Sequence, residues 1–175
     1  MMFVNSTGVR LRSFETIAVA TLAFWLSGSL FLDFVMMPTM WGSGMMAASD
    51  FASTGYSLFW IFNRVEVVCS ALILTGVLIH AQQHCWSNAK TLRAIALAVT
   101  LLVIALTFTY GISPAMSELG LNLDLFATTE SVPAGMDQMH GLYFGIECLK
   151  LLGCGLLMKM WGSLTEQVAE RVSST

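Results

Sequence analysis

Charge is what this sequence has least of. Among 175 residues, 8 are Lys or Arg and 11 are Asp or Glu, together 11% of the chain. Soluble domains carry about 25%. A soluble fold of this length needs a charged skin, and so few residues cannot supply one. Hydrophobic residues make up 56%, and the mean hydropathy is +0.73. These figures exclude a disordered chain, a nucleic-acid binder and a secreted disulfide scaffold. Soluble-enzyme signatures are missing as well. There is no phosphate-cradling glycine loop and no nucleophile elbow, and scattered serines make no triad. The chain is expected to be a membrane protein and not an enzyme.

Four apolar stretches are long enough to cross about 30 Å of hydrocarbon, which takes about 20 helical residues. They cover residues 14–38, 57–80, 94–113 and 138–161. Membrane β-strands alternate apolar and polar residues in short segments. The run from Ile95 to Leu106 does not alternate, so the spans are helical. The expected fold is all-α, an integral membrane four-helix bundle with antiparallel neighbouring spans. Residues 1–162 form one membrane domain, and 163–175 form a short polar tail. The first span lacks the Ala-x-Ala site of a cleaved signal peptide and is too long for one, so it is read as retained.

Lys and Arg set the orientation. Arg10 and Arg12 precede span one, Lys90 and Arg93 separate spans two and three, and Lys159 and Arg171 lie at or beyond the end of span four. The connections 39–56 and 114–137 contain neither residue type. Both termini and the middle connection are therefore expected in the cytoplasm, in the plasma membrane or an internal membrane such as the thylakoid. Cys69, Cys148 and Cys154 fall within spans and Cys85 in the cytoplasmic connection, so no structural disulfide is expected. Ser49 or Asp50 suits the cap of a short interfacial helix in the first outer connection.

Six ionisable residues stand where lipid should be: Asp33, Arg64, Glu66, His140, Glu147 and Lys150. Each Asp, Lys or Arg at a helix centre costs about 2.5–3.5 kcal/mol on the insertion scale. Such residues persist when they pair, face a bundle interior or line a cavity. In span four, Met136, His140, Tyr143, Glu147, Lys150, Cys154, Leu157 and Trp161 repeat at alternating spacings of four and three, which is one helical seam. In span three, Thr100, Val103, Thr107, Tyr110 and Pro114 form a similar seam of hydroxyls without charge. In span two, Asn63, Glu66 and Ser70 share a face, and Arg64 points about 200° from Glu66. Asp33, at similar depth on the neighbouring antiparallel span, is the expected partner of Arg64. Glu147 and Lys150 pair within their helix at i,i+3. The polar cluster expected is Asp33, Asn63, Arg64, Glu66, His140, Tyr143, Glu147 and Lys150. Gly141 and Gly145, with Ser27-Gly28-Ser29, offer surface for close helix packing.

Metal chemistry has fewer supports. Thioethers suit Cu(I), and Met136 and Met139 closely precede His140; methionine is also a flexible apolar filler. His80 and His84, at i,i+4, offer two imidazoles of a zinc site that lacks further evident ligands. Haem held by His80 and His140 fails on distance, since they lie about a membrane thickness apart. No cofactor is expected.

Trp25-Leu-Ser-Gly28, Phe31 and Pro38 in span one resemble the opening motif of the transmembrane-protein-205-like family. Gly55 with Phe59, then Pro114, then Met139-His140-Gly141 are similar to its later motifs, in order. The resemblance covers roughly residues 14–160. It implies a four-span helical membrane domain without an assigned activity, and an Asn in span four where this chain has Glu147. Three roles follow for the chain. The first is a small accessory or assembly subunit of a membrane complex, with a membrane-protein partner or a second copy. The second is a channel or transporter component that uses the charged cluster. The third is a metal or haem redox protein.

Overall fold

The computed structural model describes residues 5–43, 51–82, 87–126 and 135–173. Among these residues six α-helices are formed: α1 (Asn5–Phe31), α2 (Met37–Gly42), α3 (Phe51–Gln82), α4 (Asn88–Thr107), α5 (Ser113–Phe126) and α6 (Met136–Ser173). A π-helical turn at Leu32–Met36 joins α1 to α2, and another at Phe108–Ile112 joins α4 to α5. The result is four apolar rods, Phe14–Met40, Ser53–Gln82, Asn88–Leu119 and Gln138–Gly162, each long enough to cross a membrane.

The rods pack antiparallel as a ring. α1 and α4 each touch both α3 and α6. One end of the bundle carries the termini and the α3–α4 connection (the termini end), and the other carries the two long connections (the loop end). Large apolar side chains cover the outside, with Phe24 at 61% and Phe34 at 69% exposure. That surface suits lipid, and the chain is a multi-pass membrane protein. Lipid tails are as apolar as leucine, so helix association rests on close packing and polar contacts rather than on hydrophobic transfer. Close packing is visible at glycine. A Cβ on Gly76 would lie 2.9 Å from Ala18 Cβ, one on Gly153 3.1 Å from Leu101 Cδ2, and one on Gly28 3.2 Å from Phe62 Cε2. Gly141 and Gly145 have open space instead, so the Gly-x-x-x-Gly of span four is not used between helices of this chain.

Both π turns have the same local cause. Proline lacks an N–H, and its ring clashes with the carbonyl four residues earlier in an α-helix. Pro38 follows the turn at Leu32–Met36, and Pro114 follows the turn at Phe108–Ile112, in the same register. The wider turn moves the hydrogen bonds to i→i+5: the Met37 N–H donates to Leu32 O, and the Ser113 N–H to Phe108 O. The third span therefore does not stop at Ser113 as its composition indicates; Pro114 sits in the first turn of α5, where proline is tolerated.

Two sides of the core differ in character. Towards the termini end, Leu22, Ile73, Val77, Ala98, Leu101, Leu157 and Trp161 form an apolar plug. Near the loop end, Ile104, Phe108 and Ile112 pack with Met116, Met139 and Tyr143. The seam expected in span three is turned the other way. Thr100, Val103, Thr107, Tyr110 and Pro114 are all exposed. Thr100 and Thr107 donate to their own helix, to Ala96 O and Val103 O, each at 2.8 Å. Because that bond satisfies the hydroxyl locally, threonine spacing does not mark the interior face; Ala94, Ala98, Leu101, Ala105, Phe108 and Ile112 do.

Candidate functional site: a charged cluster in the bundle centre

The buried seam of α1 runs through Ala18, Leu22, Trp25, Ser29 and Leu32. That of α3 includes Asn63, Glu66, Ser70, Ile73 and Val77. On α6, Glu147, Lys150, Cys154, Leu157 and Trp161 are buried, with His140 and Tyr143 half-buried above them. The seams expected for spans two and four are thus the interior faces, except that the side chain of Met136 lies outside the described residues. Three helices bring their polar groups together near the middle of their spans.

Lys150 is the hub. Its Nζ donates to Glu66 Oε1 from across the bundle and lies 2.7 Å from Glu147 Oε1 on its own helix. The side chains of Lys150 and Glu66 are each only 2% exposed. The ring centroids of Phe108, Trp25 and Phe62 stand 5.4, 5.9 and 6.0 Å from Nζ, a cage of π faces around the ammonium. Glu66 Oε1 also accepts from Trp25 Nε1 at 2.9 Å and from Ser29 Oγ at 3.3 Å. Desolvating an ion pair costs several kcal/mol per ion, and extra hydrogen bonds are what offset it. Glu66 has them.

Glu147 does not. Its second oxygen, Oε2, receives no hydrogen bond among the described residues, and neither does Asp33 Oδ2, although both atoms are buried. Asp33 and Glu147 lie near enough for their carboxyl groups to interact electrostatically. A carboxylate has no donor to offer another carboxylate. A hydrogen bond between the two requires a proton on one of them.

Towards the loop end the polar character continues. Asn63 Nδ2 donates to Ser113 Oγ at 2.6 Å, and Thr109 Oγ1 lies 3.3 Å from Asn63 O while donating to Ala105 O at 2.7 Å. The Tyr143 ring stacks among Phe108, Phe59 and Phe144, with centroids 4.9–6.0 Å apart. Towards the termini end the described residues offer Ser70 and two buried cysteines before the apolar plug. The cluster is therefore closed by hydrocarbon on one side and by a polar, aromatic layer on the other.

Arg64 is not part of it. Its guanidinium lies 3.4 Å from the centre of the Trp60 ring, and Nη1 donates to Trp60 O at 3.0 Å. The side chain is exposed to the lipid side of α3. The expected Asp33–Arg64 pair is corrected on this point. Equal depth on adjacent helices does not make two residues face one another, and Asp33 turns to α6. The i,i+3 pair of Glu147 and Lys150 is present.

The metal candidates separate. His80 Nδ1 lies 3.3 Å from Glu15 Oε1, near the termini end. His84 lies outside the described residues. Met139 packs as an apolar filler against Ile104, Phe108 and Ile112. Among the described residues no three His, Cys, Asp or Glu side chains gather as metal ligands would.

Trp25, Ser29, Phe108, Thr109 and Ser113 belong to the site and were not among its sequence candidates. All are neutral, so a search for charge passes over them. Their signal is positional: Trp25 and Ser29 lie four apart on the seam through Leu22 and Leu32.

No family model, curated protein or solved structure matches this chain.

Proposed function

We propose that this protein is a component of a membrane transport system and that its buried cluster binds the coupled cation, a proton. The observation that carries this reading is the imbalance at the bundle centre: Glu66 and Glu147 both meet one ammonium, Lys150, and Asp33 adds a third carboxyl nearby with a buried oxygen that receives no hydrogen bond among the described residues. With all groups ionised the centre would hold an excess of negative charge in hydrocarbon, where each ion is costly. One proton between Asp33 and Glu147 removes part of that excess and supplies the missing donor. Two carboxyls suit a proton better than a metal ion, which needs several oxygen ligands. The π turns support the reading, because such turns recur at functional sites, and here one carries Asp33 and the other carries Phe108 and Thr109.

Exchange is proposed to run through the polar layer at the loop end. The orientation belongs to this proposal: the termini face the cytoplasm and the loop end faces out, in the plasma membrane or an internal membrane. Membership of the transmembrane-protein-205-like family is proposed on the same footing and assigns no activity. The test is proton flux in liposomes under an imposed membrane potential. Purified protein is expected to give a flux that Glu147→Gln removes. Flux equal to that of empty liposomes contradicts the reading.

A second reading, an accessory subunit, is favoured by one observation. Gly141, Gly145, Cys148, Leu152 and Gly155 form an exposed ridge on α6, and the three glycines have open space over them. Small residues let helices approach closely in lipid. A partner helix or a second copy of this chain would fit there.

A further inference from the structure

A groove of about 590 Å³ runs along the lipid-facing side of the bundle between α1 and α3. Thr21 and Phe24 form one wall, and Val65, Val68 and Leu72 form the other. Arg64 closes its loop-end side. Arg64 points about 200° from Glu66 on α3, and the site is independent of the proton-binding reading.

Arg64 poses a problem that the protein does not solve by itself. No carboxylate reaches it among the described residues. Of the five N–H donors on a guanidinium, one is used, on Trp60 O. The side chain bends back one helical turn, towards Trp60 and the loop-end surface. Arginines near a membrane surface do the same to bring their charge to the headgroups. The apolar groove extends from Arg64 in the other direction, towards the bilayer centre.

The polarity of the groove is therefore that of a lipid standing in the loop-end leaflet: charge near the surface, hydrocarbon below it. We infer that this groove holds an acyl chain of a phospholipid with a net negative headgroup, whose phosphate accepts hydrogen bonds from the free edge of Arg64. Arginine and phosphate match as planar fork and tetrahedral acceptor, and the charge on both strengthens the bonds. A zwitterionic headgroup fits less well. Its cation meets no acidic side chain in the groove, and the Trp60 face that would attract a choline is already covered by the guanidinium.

The experiment is native mass spectrometry of the protein released from vesicles of equal parts phosphatidylglycerol and phosphatidylcholine. The unmodified protein is expected to retain phosphatidylglycerol over phosphatidylcholine by about tenfold, the scale of a hydrogen bond to a charged group. Arg64→Gln should abolish the preference, and Arg64→Lys should keep part of it. Because Arg64 is exposed, neither change disturbs the core. Val68→Trp, at an exposed position in the groove wall, should reduce retention of both lipids. Equal retention of the two lipids by the unmodified protein overturns the inference, and so does a preference that survives Arg64→Gln.

Discussion

Lys150 holds the centre of the bundle because two carboxylates and three aromatic rings converge on it, and its removal has a predictable cost. Breaking a buried ion pair by deleting one partner typically costs about 3–5 kcal/mol, since the other charge is stranded. Lys150→Met is therefore expected to lower the thermal midpoint in detergent sharply. Glu66→Gln should do so less, because Trp25 and Ser29 can still donate to the amide oxygen. Together the two changes strand less charge, so the double variant should be milder than the sum of the singles. Additive losses would place Glu66 and Lys150 outside a common network. Arg64 gives the opposite case. Exposed and stacked on Trp60, it should show a coupling with Asp33 near zero in a double-mutant cycle, whereas Asp33 and Glu147 should be coupled. A large Asp33–Arg64 coupling would restore the pairing that the sequence suggested.

At the scale of the element, proline explains more than any charged residue. Pro38 and Pro114 each force a π turn in the loop-end half of a span, and the first of these carries Asp33. Restoring an N–H at position 38 lets an α-helical register run through, and Asp33 then rotates away from α6. Pro38 itself stands in the first turn of α2, where proline is tolerated. Pro38→Ala is thus expected to change thermal stability little while moving Asp33 away from Glu147. A variant that is less stable, with Asp33 still beside Glu147, would separate the π turn from the proline. Gly76→Ala tests packing rather than register. Its new methyl group would meet Ala18 at 2.9 Å, and overpacking of this kind costs about 1–3 kcal/mol. Unchanged melting would show that α1 and α3 move apart freely.

Much of the whole molecule was legible in the sequence. Apolar runs separated by polar connections gave the four spans, since length and hydropathy are what a bilayer selects. The faces of spans two and four were legible from Glu66 and Lys150, because charge in lipid must turn inward or find a partner. Other features were not. Span three has no charge, and its hydroxyl seam misleads about the interior face because threonine satisfies itself on its own helix. Depth alone pairs Arg64 with Asp33, and depth carries no information on facing. The aromatic cage and the Trp25–Glu66 hydrogen bond join residues far apart in the chain, and no local pattern announces them.

Two measurements address the molecule as a whole. The orientation proposed from the bias of Lys and Arg has the α3–α4 connection in the cytoplasm. A membrane-impermeant thiol reagent should therefore miss Cys85 in intact cells and reach it after permeabilisation, with the other cysteines replaced; labelling from outside would invert the bundle. On the α6 ridge, Cys148 is exposed between Gly145 and Leu152. A helix docked there brings its own side chains against that thiol. Oxidative cross-linking in native membranes should give a discrete adduct through Cys148 if the ridge is an interface, and only monomer if lipid covers it.

The central claim is that a proton lies between Asp33 and Glu147, and infrared spectroscopy of the purified protein tests it most directly. A protonated carboxyl has a carbonyl stretch separate from the carboxylate bands. At neutral pH the unmodified protein should show such a band, shifted by deuterium oxide and by isotopic labelling of the Asp or Glu carboxyl carbons. Asp33→Asn and Glu147→Gln should each remove it, while Glu118→Gln, at an exposed position, should leave it in place. The isotope shift keeps the test valid even if a variant fails to fold. A spectrum with no protonated-carboxyl band, or one whose band ignores both Asp and Glu labels, would contradict the account.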